Sequence, residues 1–261
     1  MSCKSKSYTS ICLDDSTWDA PKNVFLKKLN FNITNSHDAD IVWSDCQWDE
    51  CQGGSSPDPL IFNKLSKDQK INYLPNANNT FRKDVLTDNI NRFRRDFPEV
   101  FEDIMPRSWD LPKEYEEFSL FCEQTSSSQP YFIVKENNEQ RGDGIYLTNN
   151  PKSDIKNTDD VVVSLYIDKP LLMDSCKFDF RVFVLIASLD PLTIYVHEEG
   201  LMRLASERYQ HPNPQNKKNL YMHLTNGSLN TKNKNSIHKA ISANSLKAFE
   251  NENMSQWTQT V

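Results

Sequence analysis

The sequence predicts an α+β fold, with mixed or antiparallel sheets and flanking helices, and three observations carry that prediction. PYFIVKE (130–136) and IYLT (145–148) are short apolar segments on either side of a loop holding Gly142 and Gly144, the pattern of a strand, a turn and a returning strand. Between Phe180 and Leu189 most residues are β-branched, aromatic or aliphatic, which reads as a strand buried on both faces, and DPL turns it into TIYVHEEG as a hairpin. Finally, Phe81, Val85, Ile90, Phe93 and Phe97 fall at near-helical spacing, so TFRKDVLTDNINRFRRDF is expected to be an amphipathic helix.

The remaining elements follow in chain order. Residues 1–60 give the least: ADIVWSD (39–45) reads as a short strand and CQGGSSPDP (51–59) as a loop. MPRSWDLPKEYEEFSLFCEQ (105–124) is an extended segment followed by a helix opened by Pro112, with Tyr115, Phe118 and Phe121 turned to the core. DVVVSLYIDKPLL (160–172) is a buried strand running into a proline turn. LMRLAS, a polar loop around HPNPQNKKN and the block YMHLTNGSLN (221–230) come next, before a polar end. The expected division is 1–125 as an N-terminal and central α/β region, 126–235 as the core that carries the chemistry, and 236–261 as a tail.

A chain of 261 residues with 37% hydrophobic content is long enough for a sizeable core. Its net charge of -6 argues against bulk nucleic-acid binding, and no apolar run approaches the roughly 18 residues of a membrane helix. With no apolar leader at the start, a cytoplasmic protein is expected. The cysteines Cys3, Cys12, Cys46, Cys51, Cys122 and Cys176 show no CxxC pair, so neither a zinc site nor a disulfide framework is expected. Arg82, Lys83, Arg92, Arg94 and Arg95 make the predicted helix basic on its polar side, as a contact for phosphate or an acidic peptide or simply as a solvated face.

The chemistry points to KFDFR (177–181). Alternation along a strand sends Lys177, Asp179 and Arg181 to one face and Phe178, Phe180 and Val182 to the other. Three ionised groups on a core strand are costly to desolvate unless they pair or bind something charged. Lys135 at a strand end, Gly142 and Gly144 in the loop, Arg203, His223, Thr225 and Asn226 extend the set. Cations spread over successive strands beside a glycine loop suit a polyphosphate, since phosphoryl transfer depends on positioning and on neutralising charge. Neither GxxxxGK[ST] nor GxGxxG is present. Taken singly, Lys135 also reads as a surface strand end and His223 as a satisfied polar residue.

The order of these blocks resembles the tubulin tyrosine ligase-like family of ATP-grasp type, closest to its polyglutamylase branch. FIVKENNEQRGDGIYL is similar to the family's lysine strand and glycine loop; VVVSLYIDKPLLMDSCKFDFRVFVLIASLDPLTIYVHEEGLMRLASERY to its central block; YMHLTN to its HLTN signature. QKINYLPNANNTFRKDVL and FPEVFEDIMPRSWDLPKEYEEF resemble the preceding segments, so the likeness runs from Ala39 to Asn235.

The resemblance implies a ligase that uses ATP to activate a carboxylate as an acyl phosphate for attack by an amine, adding glutamate to tubulin. It implies that Lys83, Lys135, Arg141 and Gly142 meet the nucleotide phosphates and that Ser164, Leu165, Tyr166 and Ile167 form the adenine-side strand. Lys177, Phe178 and Asp179 would bind nucleotide, with His223, Thr225 and Asn226 on the phosphate side. Arg181 would meet the terminal phosphate, Arg203 the carboxylate of the incoming amino acid, and Ser228 the glutamate. Mg2+ is implied as well, but the family's last acidic block has no counterpart before Val261, so no metal ligand is assigned and an incomplete catalytic unit is expected. Tubulin or microtubules and free glutamate are the implied partners, without nucleic acid or membrane, and the cytoskeleton, with cilium or basal body, is the implied location. Two other readings stay open: an inactive ATP- or microtubule-binding module, and a glycine or tyrosine ligase of the same family.

Overall fold

The computed structural model describes residues 8–14, 19–44, 65–72, 82–137 and 142–236. They fall into two compact units divided between Leu86 and Thr87. In the first, β1 (Ser10–Asp14), β2 (Asn32–Thr34), β3 (Ile41–Ser44) and β4 (Lys70–Ile71) make a four-stranded sheet in the order β2-β1-β3-β4, with every pairing parallel. Helix α1 (Asp19–Asn23) continues into a π-helical turn at Val24–Lys28 and returns the chain from β1 to β2. Cys12, Ala39 and Val42 form a small core with Leu65 and Ile71 against it. One carboxylate orders the start of β1: Asp40 Oδ2 accepts from the Thr9 and Ser10 amides at 2.9 and 3.1 Å and from the Ser10 hydroxyl at 2.9 Å. Of this unit only β3 was legible as a strand in sequence; the predicted 51–59 loop lies outside the described residues.

The second unit is built on a fully antiparallel sheet in the order β5-β8-β6-β7, from β5 (Ser108–Leu111), β6 (Phe132–Glu136), β7 (Ile145–Thr148) and β8 (Val161–Leu165). Its register sorts the side chains. Trp109, Leu111, Phe132, Val134, Val161 and Val163 share one face and form the core with Phe118 and Cys122 of helix α4 (Tyr115–Gln124). Ser108, Lys135, Val162 and Ser164 alternate with them onto the opposite face, where the Ser108 hydroxyl donates to Ser164 Oγ at 2.8 Å. Val161 to Ser164 are all buried, so this strand is covered on both faces, as its unbroken VVVS run implies. Helix α4 starts at Tyr115, with Pro112 in the preceding turn rather than in its first helical turn.

Helix α2 (Lys83–Asp96) matches the predicted amphipathic helix, and the one-turn α3 (Pro98–Phe101) follows it. Val85, Ile90 and Phe93 are partly buried, whereas Phe97 stands exposed beyond the helix end and Phe81 lies outside the described residues. The basic side is not a uniform solvated stripe. Arg82 pairs with Asp84 at 3.0 Å, and Arg94 turns inward, donating to the Met105 carbonyl at 2.5 Å with its Nε 3.7 Å from Glu102.

After the one-turn helix α5 (Pro151–Asp154), strands β9 (Leu172–Met173), β10 (Cys176–Arg181) and β13 (Leu201–Leu204) form an antiparallel sheet in the order β13-β10-β9. Between β10 and β13, strands β11 (Val184–Leu189) and β12 (Leu192–Val196) make the predicted hairpin, turned at DPL. The expectation of a strand buried on both faces from Phe180 to Leu189 is overturned. The strand breaks at Val182 and Phe183, and Phe180, Val182, Phe183, Val184, Leu185 and Leu189 are all about half exposed or more, from 48 to 62%. An apolar run specifies a strand that fits a buried sheet, but burial needs a second layer, and none covers the hairpin among the described residues. The last elements among the described residues are the one-turn helices α6 (Leu220–His223) and α7 (Gly227–Asn230).

Candidate functional site

The antiparallel register of β10 on β13 sets Asp179 directly opposite Arg203. Directly paired residues share a sheet face with their Cβ atoms close together, so the two side chains meet without a search for geometry. The Arg203 fork engages the carboxylate bidentately, Nε to Oδ1 and Nη2 to Oδ2, both at 2.6 Å. Thr225, from the segment between α6 and α7, donates its hydroxyl to Asp179 Oδ2 at 2.7 Å. Asp179 holds the Arg203 guanidinium in its charged form, pushing its pKa up. The other edge of the Arg203 fork, with Nη1, lies outside this pair and retains donors of the kind that recognise a second carboxylate.

Lys177, two residues before Asp179 on β10, sends Nζ over the Tyr166 ring at 4.2 Å from its centroid. Burial, reinforced by the positive charge of Lys135, brings the Lys177 pKa down to about 8, with Asp179 pulling the other way. Lys135, the penultimate residue of β6, lies between Ile145 and Val162, on the sheet face opposite the apolar core. An anion beside Lys177 would offset both the burial and the Lys135 charge that disfavour its ammonium form.

Beneath Lys177 lies an aromatic and imidazole layer. Tyr166, just past β8, is buried, and its hydroxyl shares a 3.1 Å hydrogen bond with Nδ1 of the fully buried His223 on α6. The His223 ring packs edge-on against Tyr166 and Tyr209, at 5.7 and 5.9 Å between centroids. Burial drives the His223 pKa down to about 4, helped by the Lys177 charge and opposed by the Asn216 backbone, so the imidazole is neutral near pH 7. Tyr209 donates to the Asp168 carbonyl at 2.6 Å, and Asp168 Oδ2 meets His211 Nε2 at 2.8 Å.

The glycine loop reaches the same region. Gly142 sits at φ +99°, and a Cβ there would meet Asn226 at 3.5 Å, so the loop lies against the HLTN block. Arg141 is outside the described residues, and Lys83 belongs to the first unit. Ser164 turns its hydroxyl to Ser108 within the sheet, Leu165 packs on the apolar core, and Ile167 is exposed. Phe178 packs edge-on against Phe180 at 5.4 Å. Arg181 closes β10 opposite Leu201 and is exposed, as is Ser228 on α7. Thus Lys177, Tyr166 and His223 form one contact group and Asp179, Arg203 and Thr225 another, the two meeting through Lys177 and Asp179 on β10. Asp168, Tyr209 and His211 join this region without having been singled out in sequence. Only contact across the fold marks them, because 43 residues separate Asp168 from His211.

The cation pair suits a polyphosphate, which it would neutralise. A divalent metal finds less. Among the described residues no cluster of three or more His, Cys, Asp or Glu groups is placed to hold one, and Asp179 spends both oxygens on Arg203 and Thr225.

The helices here pack with one parallel and several antiparallel sheets, and the tubulin-tyrosine ligase family model matches residues 62–260, so the chain is a member of that family. It is 38% identical over 214 residues to the probable beta-tubulin polyglutamylase of Tetrahymena thermophila, 82% of this chain and 17% of that protein. It is 40% identical over 198 residues to the human tubulin polyglutamylase TTLL5, 76% of this chain and 14% of that one. With the mouse tubulin polyglutamylase TTLL6 the figures are 39% over 232 residues, 85% and 28%. The chain therefore spans between about a seventh and about a quarter of the length of these relatives.

Proposed function

We propose that this chain carries the nucleotide-binding part of an ATP-dependent, polyglutamylase-type ligase of ATP-grasp architecture, acting on tubulin with free glutamate as co-substrate. The observation that carries the reading is the group on β10 and its neighbours: a Lys177 ammonium held beside the charge of Lys135, next to the Asp179–Arg203–Thr225 cluster. In this reading residues 126–235 form the nucleotide-binding core. Lys135, Lys177, Arg141, Gly142 and Asn226 hold the phosphates, and the segment Ser164 to Ile167 lies along the base. ATP, when bound, supplies the phosphoryl group that activates a carboxylate as an acyl phosphate. The chain's own residues bind and orient. Lys177 and Lys135 neutralise phosphate charge, Asp179 and Thr225 fix the Arg203 plane, and the remaining edge of Arg203 receives the carboxylate of the amino acid, with Ser228 close in sequence to that block. The described residues do not supply a magnesium site, so no step is assigned to that ion. A tubulin substrate would place the protein with the cytoplasmic cytoskeleton, of which cilium and basal body are one microtubule-rich site.

The test is incorporation of labelled glutamate into microtubules with ATP. Incorporation is expected to be lost in Lys177→Ala and to show a raised glutamate KM in Arg203→Lys, which keeps charge but loses the fork. No ATP-dependent incorporation sinks the ligase reading for this chain. Full commitment of Asp179 to Arg203 and Thr225 favours a second reading, a nucleotide- or microtubule-binding module without turnover. Nucleotide-dependent thermal stabilisation without glutamate transfer would select it. Competing glycine and tyrosine in the same assay separates the amino-acid specificities.

A further inference from the structure

The scheme above uses Tyr166 only as part of the segment along the base and gives His223 no role, although the geometry of these two side chains is specific. A lysine side chain has four rotatable bonds, and ordering it costs up to about 2 kcal/mol of rotamer entropy. Here the ammonium is already parked 4.2 Å from the centroid of one face of Tyr166, and Tyr166 is itself tied by its hydroxyl to His223 Nδ1 at 3.1 Å. His223 is fully buried and wedged edge-on between two tyrosines, so it cannot move without displacing them. Tyr209 in turn is anchored by its hydroxyl on the Asp168 carbonyl at 2.6 Å. The chain of contacts thus runs from a rigid interior to the tip of one mobile cation. The electronics run the same way. A phenol that donates to a neutral imidazole gains negative charge on its oxygen and ring, which strengthens the ring's attraction for a cation.

We propose that Tyr166 and His223 form a positioning pair, in which the neutral imidazole accepts the Tyr166 hydroxyl proton as a hydrogen bond and fixes the ring as the platform that presents Lys177 to the phosphates of the nucleotide. The inference rests on the nucleotide reading of this site. Neither residue needs to touch the ligand through its side chain; both act through Lys177. The charged and titratable groups facing Lys177 are Lys135 from β6, Asp179 from its own strand, and Tyr166 and His223 beneath it. None of the others supplies a flat surface.

The experiment is a double-mutant cycle read by binding of a non-hydrolysable ATP analogue to the 261-residue chain, without tubulin or glutamate. Tyr166→Phe removes only the hydroxyl and is expected to weaken binding roughly threefold to tenfold, and Tyr166→Leu, which removes the ring, roughly tenfold or more. In a Lys177→Met background both losses shrink to within about twofold, because the platform has nothing to hold. His223→Asn, which keeps a side-chain acceptor near the Nδ1 position, retains affinity, whereas His223→Leu behaves as Tyr166→Phe. Equal losses in both backgrounds mean a merely structural role and overturn the proposal, as does His223→Asn binding as weakly as His223→Leu. A second measurement separates this failure from that of the nucleotide reading. Reductively methylated Lys177 has its own NMR signal in the ligand-free chain, and Tyr166→Phe is expected to shift and broaden it. If the wild-type chain binds no nucleotide, the nucleotide reading falls, and if Lys177→Met leaves no measurable binding, the cycle cannot be closed. In either case the NMR signal decides, and a signal unchanged by Tyr166→Phe overturns the positioning pair.

Discussion

At Lys177, burial and a neighbouring cation act in the same direction, and the pKa of about 8 puts the loss of its charge within reach of ordinary buffers. A phosphate ligand needs the ammonium form. Nucleotide affinity should therefore be full below pH 8 and fall as pH rises through it, and binding near pH 8 should take up protons, because the bound anion raises the lysine pKa again. Calorimetry in buffers of different ionisation heat measures that uptake; a pH-independent affinity from about 7 to about 9.5 contradicts it. His223 gives the complementary acid effect. Its folded pKa, about 4, lies below the unfolded value of 6.5, so between pH 4 and 6.5 the unfolded chain binds the extra proton. Stability is then complete above about 6.5 and lost on acidification, by up to about 3 kcal/mol at about 1.36 kcal/mol per unit. The fall in Tm between about pH 7 and about pH 4.5 should be shallower in His223→Asn than in wild type.

Among the elements, the β6–β7 hairpin and the β11–β12 hairpin show what a sequence pattern can and cannot specify. Gly144 turns the first at φ +65°, and a Cβ there would sit 2.9 Å from Glu136 Cδ. The end of the exposed Glu136 side chain can swing away, whereas the left-handed backbone cannot be relieved. Gly144→Ala is thus expected to cost on the order of 1 kcal/mol, a loss that Glu136→Ala does not restore, as denaturant titration of the single and double variants would show. Strand β11 was legible as a strand because its residues are β-branched and aliphatic, but its environment was not, since burial depends on a covering layer that residue types do not encode. On the exposed β11, Leu185→Lys should change Tm little, within about 0.5 kcal/mol, and reduce binding of a hydrophobic dye. A loss of several kcal/mol would mean that Leu185 is covered in solution after all. In β8 the same kind of run is truly buried, because α4 closes one face and the Ser108–Ser164 side of the sheet is covered too.

Across the molecule, the residues that contact one another around Lys177 all lie in the second unit, and sequence order alone had strung them along the chain from Lys135 to Asn226. Strand alternation foretold that Lys177 and Asp179 share a face, but the partner of Asp179 depended on the β10–β13 register, which no local pattern carries. The first unit was harder still, since its short parallel strands pair across long intervals and its core is only a few residues. Lys83, which the basic helix side and the family resemblance both offer to a phosphate, lies in that first unit. A nucleotide site built from second-unit residues gives a calorimetric prediction. If the two units unfold as distinct transitions, a nucleotide held by the second should raise only that transition, by about 2.7 kcal/mol at about a hundred times Kd. The transition of the first unit should stay within error of its ligand-free value, and Lys83→Ala should leave the shift intact. A nucleotide that raises both transitions, or whose effect disappears in Lys83→Ala, would contradict a site built from second-unit residues.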